Sequence, residues 1–287
     1  MTSDGGADGG WLRAVPAGGG SVLARGGQIV YGPRRLSDLV HRRPPGVTGH
    51  QWTTALRESY DLVVCGADTG QPTVAVEIGP PPPAGSSAQR VERMKDAVSA
   101  AVGLPVLRIG SPTLRAADHG VAIVAYVIDA RGYAERWAGE PEVTGFRDIP
   151  GRLPDGRTGA VNDLGALTRA AAVEAYVSRR LADPIVRGLH VRWSTGPAEG
   201  WSWVTVRPGA LLVERVTVTE HRFATGVDPA RLAEDVATLA VGERLRALDA
   251  ATPPLTSPEE LREAIRGLAA RRDELAGGFA FDHLCAD

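Results

Sequence analysis

Apolar and polar positions follow their clearest pattern between residues 60 and 110. Two β-branched apolar runs, YDLVVC (60–65) and TVAVEI (73–78), are separated by a segment rich in the turn residues Asp, Gly and Pro. This arrangement predicts a β-hairpin. The run LPVLRIG (104–110) is short, apolar and followed by a further turn signal, which predicts another buried strand.

A helix is predicted between the hairpin and that strand. Prolines 80–83 end the second strand, and Ser86 and Ser87 can cap a helix over about residues 88–102, which Gly103 ends. Its apolar positions recur at intervals of three and four and are expected to face a sheet. These positions are Val91, Met94, Val98 and Ala101. A second helix is expected over residues 121–137.

The second half of the chain has a different pattern. A helical segment at 162–181 precedes three strand-like runs, which predict a β-meander. Asp228 and Pro229 have the residue types of an N-cap and first helical position, and Thr256 and Glu259 have the spacing of a capping box. The order of elements therefore predicts an α/β first part followed by an α+β domain.

Two segments of distinctive composition suggest where the domains begin and end. Residues 1–20 are Gly-rich and are expected to form a flexible tail, and residues 139–159 lack any period and are the predicted linker. The predicted domains are then residues 21–138 and residues 160–287. No internal repeat is evident.

Overall composition restricts the function only loosely. The chain has 287 residues, 43% of them apolar, and a formal charge of -2, so nucleic-acid binding would need a local group of arginines. Two cysteines without metal-site spacing favour a reduced, cytoplasmic setting. No export signal or membrane-spanning run is recognisable, so we expect no membrane partner.

Two carboxylates and one unusual cation form the main chemical constellation. Lys95 is the only lysine among 32 Lys and Arg residues, and it lies on the predicted helix that follows the hairpin. Asp61 begins one hairpin strand and Glu77 ends the other, so both can lie at one end of a sheet. Carboxylate oxygens are ligands that Mg²⁺ or Mn²⁺ prefers, and a lysine beside them can orient a water and stabilise phosphoryl charge.

These stretches, YDLVVCGADTGQPTVAVEIG and RVERMKDAVSAAVGLPVLRIG, resemble the PD-(D/E)xK superfamily, and within it the Vsr-like domain of unknown function 2726. The resemblance covers about residues 28–133, whereas the C-terminal half resembles only uncharacterised actinobacterial proteins. It implies a restriction-endonuclease-like mixed sheet flanked by helices, with Asp61 and Glu77 as metal ligands. In some members the lysine stands on the neighbouring helix, which is the position of Lys95.

The sequence also departs from that motif. The residue two positions after the strand Glu is normally Lys, or Asp in this branch, but here it is Gly79, and prolines 80–83 follow. Lys95 can equally belong to the solvated face of an amphipathic helix. Asp61 can be a turn residue, and Glu77 can pair with Arg90 or Arg93.

Two functions follow from these observations. The first is a metal-dependent nuclease that cleaves DNA phosphodiester bonds, in which Arg57, Arg90 and Arg93 contact phosphates. The second is a catalytically inactive nuclease fold that binds nucleic acid or protein. In the second half, Trp193, Trp201 and Trp203 can stack on bases or, more commonly, pack in a core.

Overall fold

The computed structural model describes residues 10–16, 20–136, 150–152, 158–160, 164–248 and 253–277. The protein is mixed α/β, with a large mixed sheet flanked by helices, as the sequence predicted. It divides into two compact units. One comprises residues 1–77, 82–107 and 221–223, and the other residues 78–81, 108–220 and 224–287. Most of the predicted tail and linker lies outside the described residues.

The strands and helices are numbered in chain order. The strands are β1 (Ser21–Arg25), β2 (Gln28–Tyr31), β3 (Arg34–Arg35), β4 (Ser59–Tyr60), β5 (Leu62–Gly66), β6 (Pro72–Gly79), β7 (Val106–Gly110), β8 (Pro150–Arg152), β9 (Thr158–Ala160), β10 (Arg187–Val191), β11 (Ala198–Arg207) and β12 (Ala210–His221). The helices are α1 (Leu36–Leu39), α2 (Gly49–Ala55), α3 (Ser87–Val102), α4 (Ala116–Arg136), α5 (Ala166–Val177), α6 (Pro229–Arg246) and α7 (Pro258–Ala270).

The predicted hairpin forms the centre of the first unit. β5 and β6 pair antiparallel with Leu62 opposite Val76 and Val64 opposite Val74, and β2 pairs with the other edge of β5. Strands β6 and β7 are neighbours in the sheet and run parallel. The Ala75 amide donates to the Pro105 carbonyl just before β7 (2.9 Å), and the Ser111 amide just after β7 donates to the Gly79 carbonyl at the end of β6 (2.9 Å). The apolar, β-branched runs are thus buried in a sheet, as their composition indicates.

Helix α3 has the predicted ends but buries a different face. The Ser86 hydroxyl accepts a hydrogen bond from the Gln89 amide (3.1 Å), and Gly103 ends the helix in the left-handed region at φ 73°. Its buried residues are Lys95, Val98, Ser99 and Val102, at positions i, i+3, i+4 and i+7. Of the predicted stripe, Val98 is buried, Val91 and Met94 are half-buried and Ala101 is exposed, so the buried face is rotated toward Lys95.

Helix α4 is longer than the predicted helix. It begins at Ala116 instead of residue 121, because residues 116–120 (AADHG) lack the apolar period on which the prediction rested. The Ser111 hydroxyl accepts hydrogen bonds from the backbone amides of Thr113 and Leu114 and forms the turn that precedes the helix. None of the described helices combines the length and apolar content needed to cross a bilayer.

The second unit contains the predicted meander. β10, β11 and β12 pair antiparallel in sequence order, and α6 packs against β11. Asp228 caps α6 by accepting a hydrogen bond from the Ala230 amide (3.0 Å), with Pro229 in the first turn, as predicted. The helices α4, α5 and α7 belong to the same unit.

The cap of α7 lies one residue later than predicted. Ser257 accepts from the Glu260 amide (3.2 Å), and the Glu260 carboxylate accepts from the Ser257 amide (2.7 Å), so these two residues form the capping box. Thr256 instead forms a backbone bridge with Leu211. Pro258 explains the shift, because proline is favoured at the first helical position and makes Ser257 the N-cap.

Candidate functional site

Lys95 is buried in the first unit and contacts Glu77. Its ammonium forms an ion pair with the Glu77 carboxylate, donates to the Ser59 carbonyl (3.2 Å) and lies 4.5 Å from the centre of the Tyr60 ring. The Lys95 side chain is 6% exposed and that of Glu77 is 20% exposed. The interpretation of Lys95 as part of a solvated helix face is therefore wrong.

A second layer of contacts fixes the position of Lys95. Tyr60 is fully buried, and its hydroxyl lies 2.5 Å from the Ser99 hydroxyl. Ser99 donates to the Lys95 carbonyl one helical turn earlier (2.9 Å), so Tyr60 is the donor of the bond that joins it to Ser99. The ring of Tyr60 thereby has a fixed orientation beside the ammonium, where cation–π attraction favours the charge.

Asp61 occupies a bend between β4 and β5. Its amide donates to the Val76 carbonyl (3.0 Å), which places its backbone beside the residue that precedes Glu77. The side chain is half-buried. The structure thus brings Asp61 next to the strand that carries Glu77, as the hairpin predicted, although Asp61 itself lies at a bend and not within the strand.

The three arginines predicted to contact nucleic acid are all exposed. Arg57 follows α2, and Arg90 and Arg93 lie on α3. The alternative in which one of the α3 arginines pairs with Glu77 is replaced by the pair with Lys95. Contact of these arginines with phosphates remains a prediction.

The donor set is compatible with a divalent cation. Asp61 and Glu77 supply carboxylate oxygens from neighbouring segments, and Glu77 is partly open to solvent. No group of three or more potential ligands from His, Cys, Asp and Glu occurs among the described residues. Two carboxylates are in keeping with Mg²⁺, because this ion keeps several waters and is usually bound by one or two protein carboxylates together with substrate phosphates. Asp61 and Glu77 would hold it.

The tryptophans of the second unit belong to its core. Trp193, Trp201 and Trp203 are 9%, 2% and 6% exposed and pack in one apolar cluster with α7. Glu199 accepts hydrogen bonds from the indole nitrogens of Trp193 (3.2 Å) and Trp201 (2.9 Å). Arginine side chains cover these two rings. The core interpretation is confirmed, and these rings are not presented for stacking on bases.

Cys65 is a buried thiol in the first core. It is fully buried in the cluster that contains Val63 and Ala75. Burial raises the pKa of the Cys65 thiol to about 11. The thiolate is the reactive form, so at neutral pH Cys65 acts as a small apolar side chain and not as a nucleophile.

Sequence reasoning missed the residues that support Lys95. Ser59, Tyr60 and Ser99 were not identified as members of a site. One signal was available: Ser99 follows Lys95 by four residues, so two polar side chains share one face of α3. A helix face that carries a lysine and a serine within an otherwise apolar stripe indicates a polar partner on the opposite element.

The chain was compared with protein-family models, with curated proteins and with solved structures, and it matches no member of these three groups.

Proposed function

We propose that the first unit is a metal-dependent nuclease that acts on DNA phosphodiester bonds, with a restriction-endonuclease-like fold. One observation carries this proposal: the single lysine of the chain is buried against Glu77, one of the two carboxylates that the sequence motif selects. A lysine that has moved from the strand to the neighbouring helix can replace the motif lysine only if it reaches the strand glutamate. Lys95 does so.

The charges of the site suit this chemistry. Asp61 and Glu77 contribute two negative charges and Lys95 one positive charge. These three side chains together therefore carry a net negative charge, which favours a divalent cation. When bound, such a cation lowers the pKa of a coordinated water and neutralises phosphate charge. The Lys95 ammonium has three N–H donors, and the described residues accept from two of them. The third can donate to a phosphoryl oxygen as negative charge develops there.

A second candidate is an inactive nuclease fold that binds nucleic acid or a protein. The observation that favours it is that Lys95 is already held by a carboxylate, a carbonyl and an aromatic ring, so the pair needs no metal or substrate to be satisfied. Gly79, in the place of the usual strand lysine or aspartate, is in keeping with this alternative.

A cleavage assay separates the two candidates. We expect the purified protein to cut supercoiled plasmid with Mg²⁺ or Mn²⁺ and not with EDTA. Asp61→Asn should lower the rate by about 10²-fold or more, because it removes a ligand charge. The double variant Glu77→Gln/Lys95→Met should be equally slow. It is preferable to Glu77→Gln alone, which would leave the buried Lys95 charge without its partner.

Arg266→Gln is the matched control, because Arg266 is an exposed residue on α7 of the other unit. It should cut at the rate of the parent protein. Cleavage that survives unchanged in Asp61→Asn would refute the proposed site. No cleavage of any DNA by the parent protein would favour the inactive fold.

A further inference from the structure

A cavity in the first unit combines arginine and tryptophan side chains and lies outside the Glu77–Lys95 site. It has a volume of about 360 Å³ and is lined by Trp11, Arg42, Arg43 and the turn at residues 44–47. Its size falls within the range of small-molecule sites. None of its lining residues contributes to the constellation of Asp61, Glu77 and Lys95.

Backbone pairing brings two distant parts of the chain together at this cavity. Leu12 and Val40 form an antiparallel bridge, and the His41 amide donates to the Trp11 carbonyl (3.1 Å). Trp11 is half-buried and packs against the core of the unit. The fold therefore holds the indole in the lining of the cavity, although Trp11 lies close to the Gly-rich beginning of the sequence.

The turn at residues 44–47, which also lines the cavity, has restricted backbone angles. Pro44 and Pro45 fix their own φ angles, and Gly46 has φ 81°. Proline followed by a residue in the left-handed region is the pattern of a type II turn. Pro44 and Val47 are buried, which anchors the turn to the unit. This part of the cavity lining is therefore held in one conformation by the backbone.

Among the described residues, no carboxylate neutralises the charge of either arginine. Arg42 and Arg43 are exposed, and neither forms an ion pair with a carboxylate among the described residues. The Arg42 guanidinium lies over the Trp11 ring at 4.7 Å from its centre. Stacking on an indole holds the guanidinium plane in place and leaves its N–H donors free for an anion.

We propose that this cavity binds a nucleotide unit, either within a single nucleic-acid strand or as a free nucleotide. Arg42 and Arg43 both line the cavity, and a guanidinium group donates to phosphate oxygens in pairs. The Trp11–Arg42 stack offers a flat surface to a base, since bases stack on both indole rings and guanidinium planes. This inference goes beyond the proposed function and does not depend on cleavage.

The test measures binding in EDTA, so that metal-dependent cleavage cannot interfere. The probes are a short fluorescein-labelled oligo(dT), followed by anisotropy, and adenosine 5′-monophosphate, followed by calorimetry. We expect the parent protein to bind at least one of them. Arg42→Gln and Arg43→Gln should each weaken binding about tenfold, the effect of one charge-assisted hydrogen bond. For the oligonucleotide, each variant should reduce the slope of log K against log salt by about 0.7.

Arg266→Gln again serves as the control and should bind as the parent protein does. A parent protein that binds these probes in EDTA but cuts no DNA with Mg²⁺ or Mn²⁺ would refute the proposed function and still support the cavity. The inference would be overturned if the parent protein bound neither probe. It would also be overturned if the Arg42→Gln and Arg43→Gln variants bound as tightly as the parent protein. Inorganic phosphate that competes as well as the free nucleotide would also overturn it, because the base would then contribute nothing.

Discussion

Replacement of Lys95 by methionine should destabilise the protein by about 3 kcal/mol, the lower end of the range for breaking a buried ion pair. Methionine matches the length of the lysine stem but leaves the half-buried Glu77 carboxylate without its cation. The change also removes the hydrogen bond to the Ser59 carbonyl and the contact with Tyr60. Urea unfolding of the parent protein and the variant measures this difference.

Comparison of Lys95→Met with a double variant separates the contribution of the ion pair from that of general packing. Glu77→Gln/Lys95→Met should recover about 2 kcal/mol of the loss, because a neutral pair replaces an isolated buried charge. Arg93→Met on the exposed face of the same helix should change the stability by less than about 0.5 kcal/mol. If Lys95→Met is as stable as Arg93→Met, then Lys95 is not paired with Glu77 in solution.

Among replacements of glycine by alanine in the second unit, Gly200→Ala should cause the largest loss of stability. A Cβ at Gly200 would lie 2.0 Å from the Glu234 amide nitrogen and 2.1 Å from the Ala233 carbonyl carbon. Both are backbone atoms of α6, which crosses β11 at this point, so neither can rotate away. The helix must move off the strand, and we expect a loss of about 3 kcal/mol or more. Calorimetric unfolding measures it.

Gly267→Ala is the matched control for that change. Gly267 is exposed on α7, and a Cβ there would meet nothing within 4 Å. The substitution should stabilise the protein by about 0.5–1 kcal/mol, because alanine loses less backbone entropy than glycine in a helix. Equal effects of the two substitutions would show that α6 does not lie against Gly200.

The parts of the fold that depend on local signals were predictable. The hairpin of β5 and β6 was evident from two β-branched runs around a turn. The caps at Ser86 and Asp228 were evident from residue type and spacing. The error at α7 was avoidable, because Thr256–Glu259 and Ser257–Glu260 both fit a capping box. Only Ser257 places Pro258 at the first helical position, where proline is favoured.

The helix that carries Lys95 holds only one weak signal of its burial, the serine four residues later. A lysine between Met94 and Asp96 in an amphipathic segment normally faces water. Its partner, Glu77, lies 18 residues earlier on a strand, so the contact depends on how α3 packs on the sheet. The cavity beside Trp11 is also a tertiary feature, since residues about 30 positions apart line it. The pattern of hydrophobic residues reveals only the period of single helices and strands. It therefore predicts neither the contact between Glu77 and Lys95 nor the cavity.

Calorimetric titration with Mn²⁺ is the most direct test of the metal site, because it requires no knowledge of the substrate. We expect one binding site in the parent protein, and loss of binding in Asp61→Ala and in Glu77→Gln/Lys95→Met. Arg266→Gln should bind Mn²⁺ as the parent does. No binding by the parent protein, or equal binding by Asp61→Ala, would contradict a metal site formed by Asp61 and Glu77 beside Lys95.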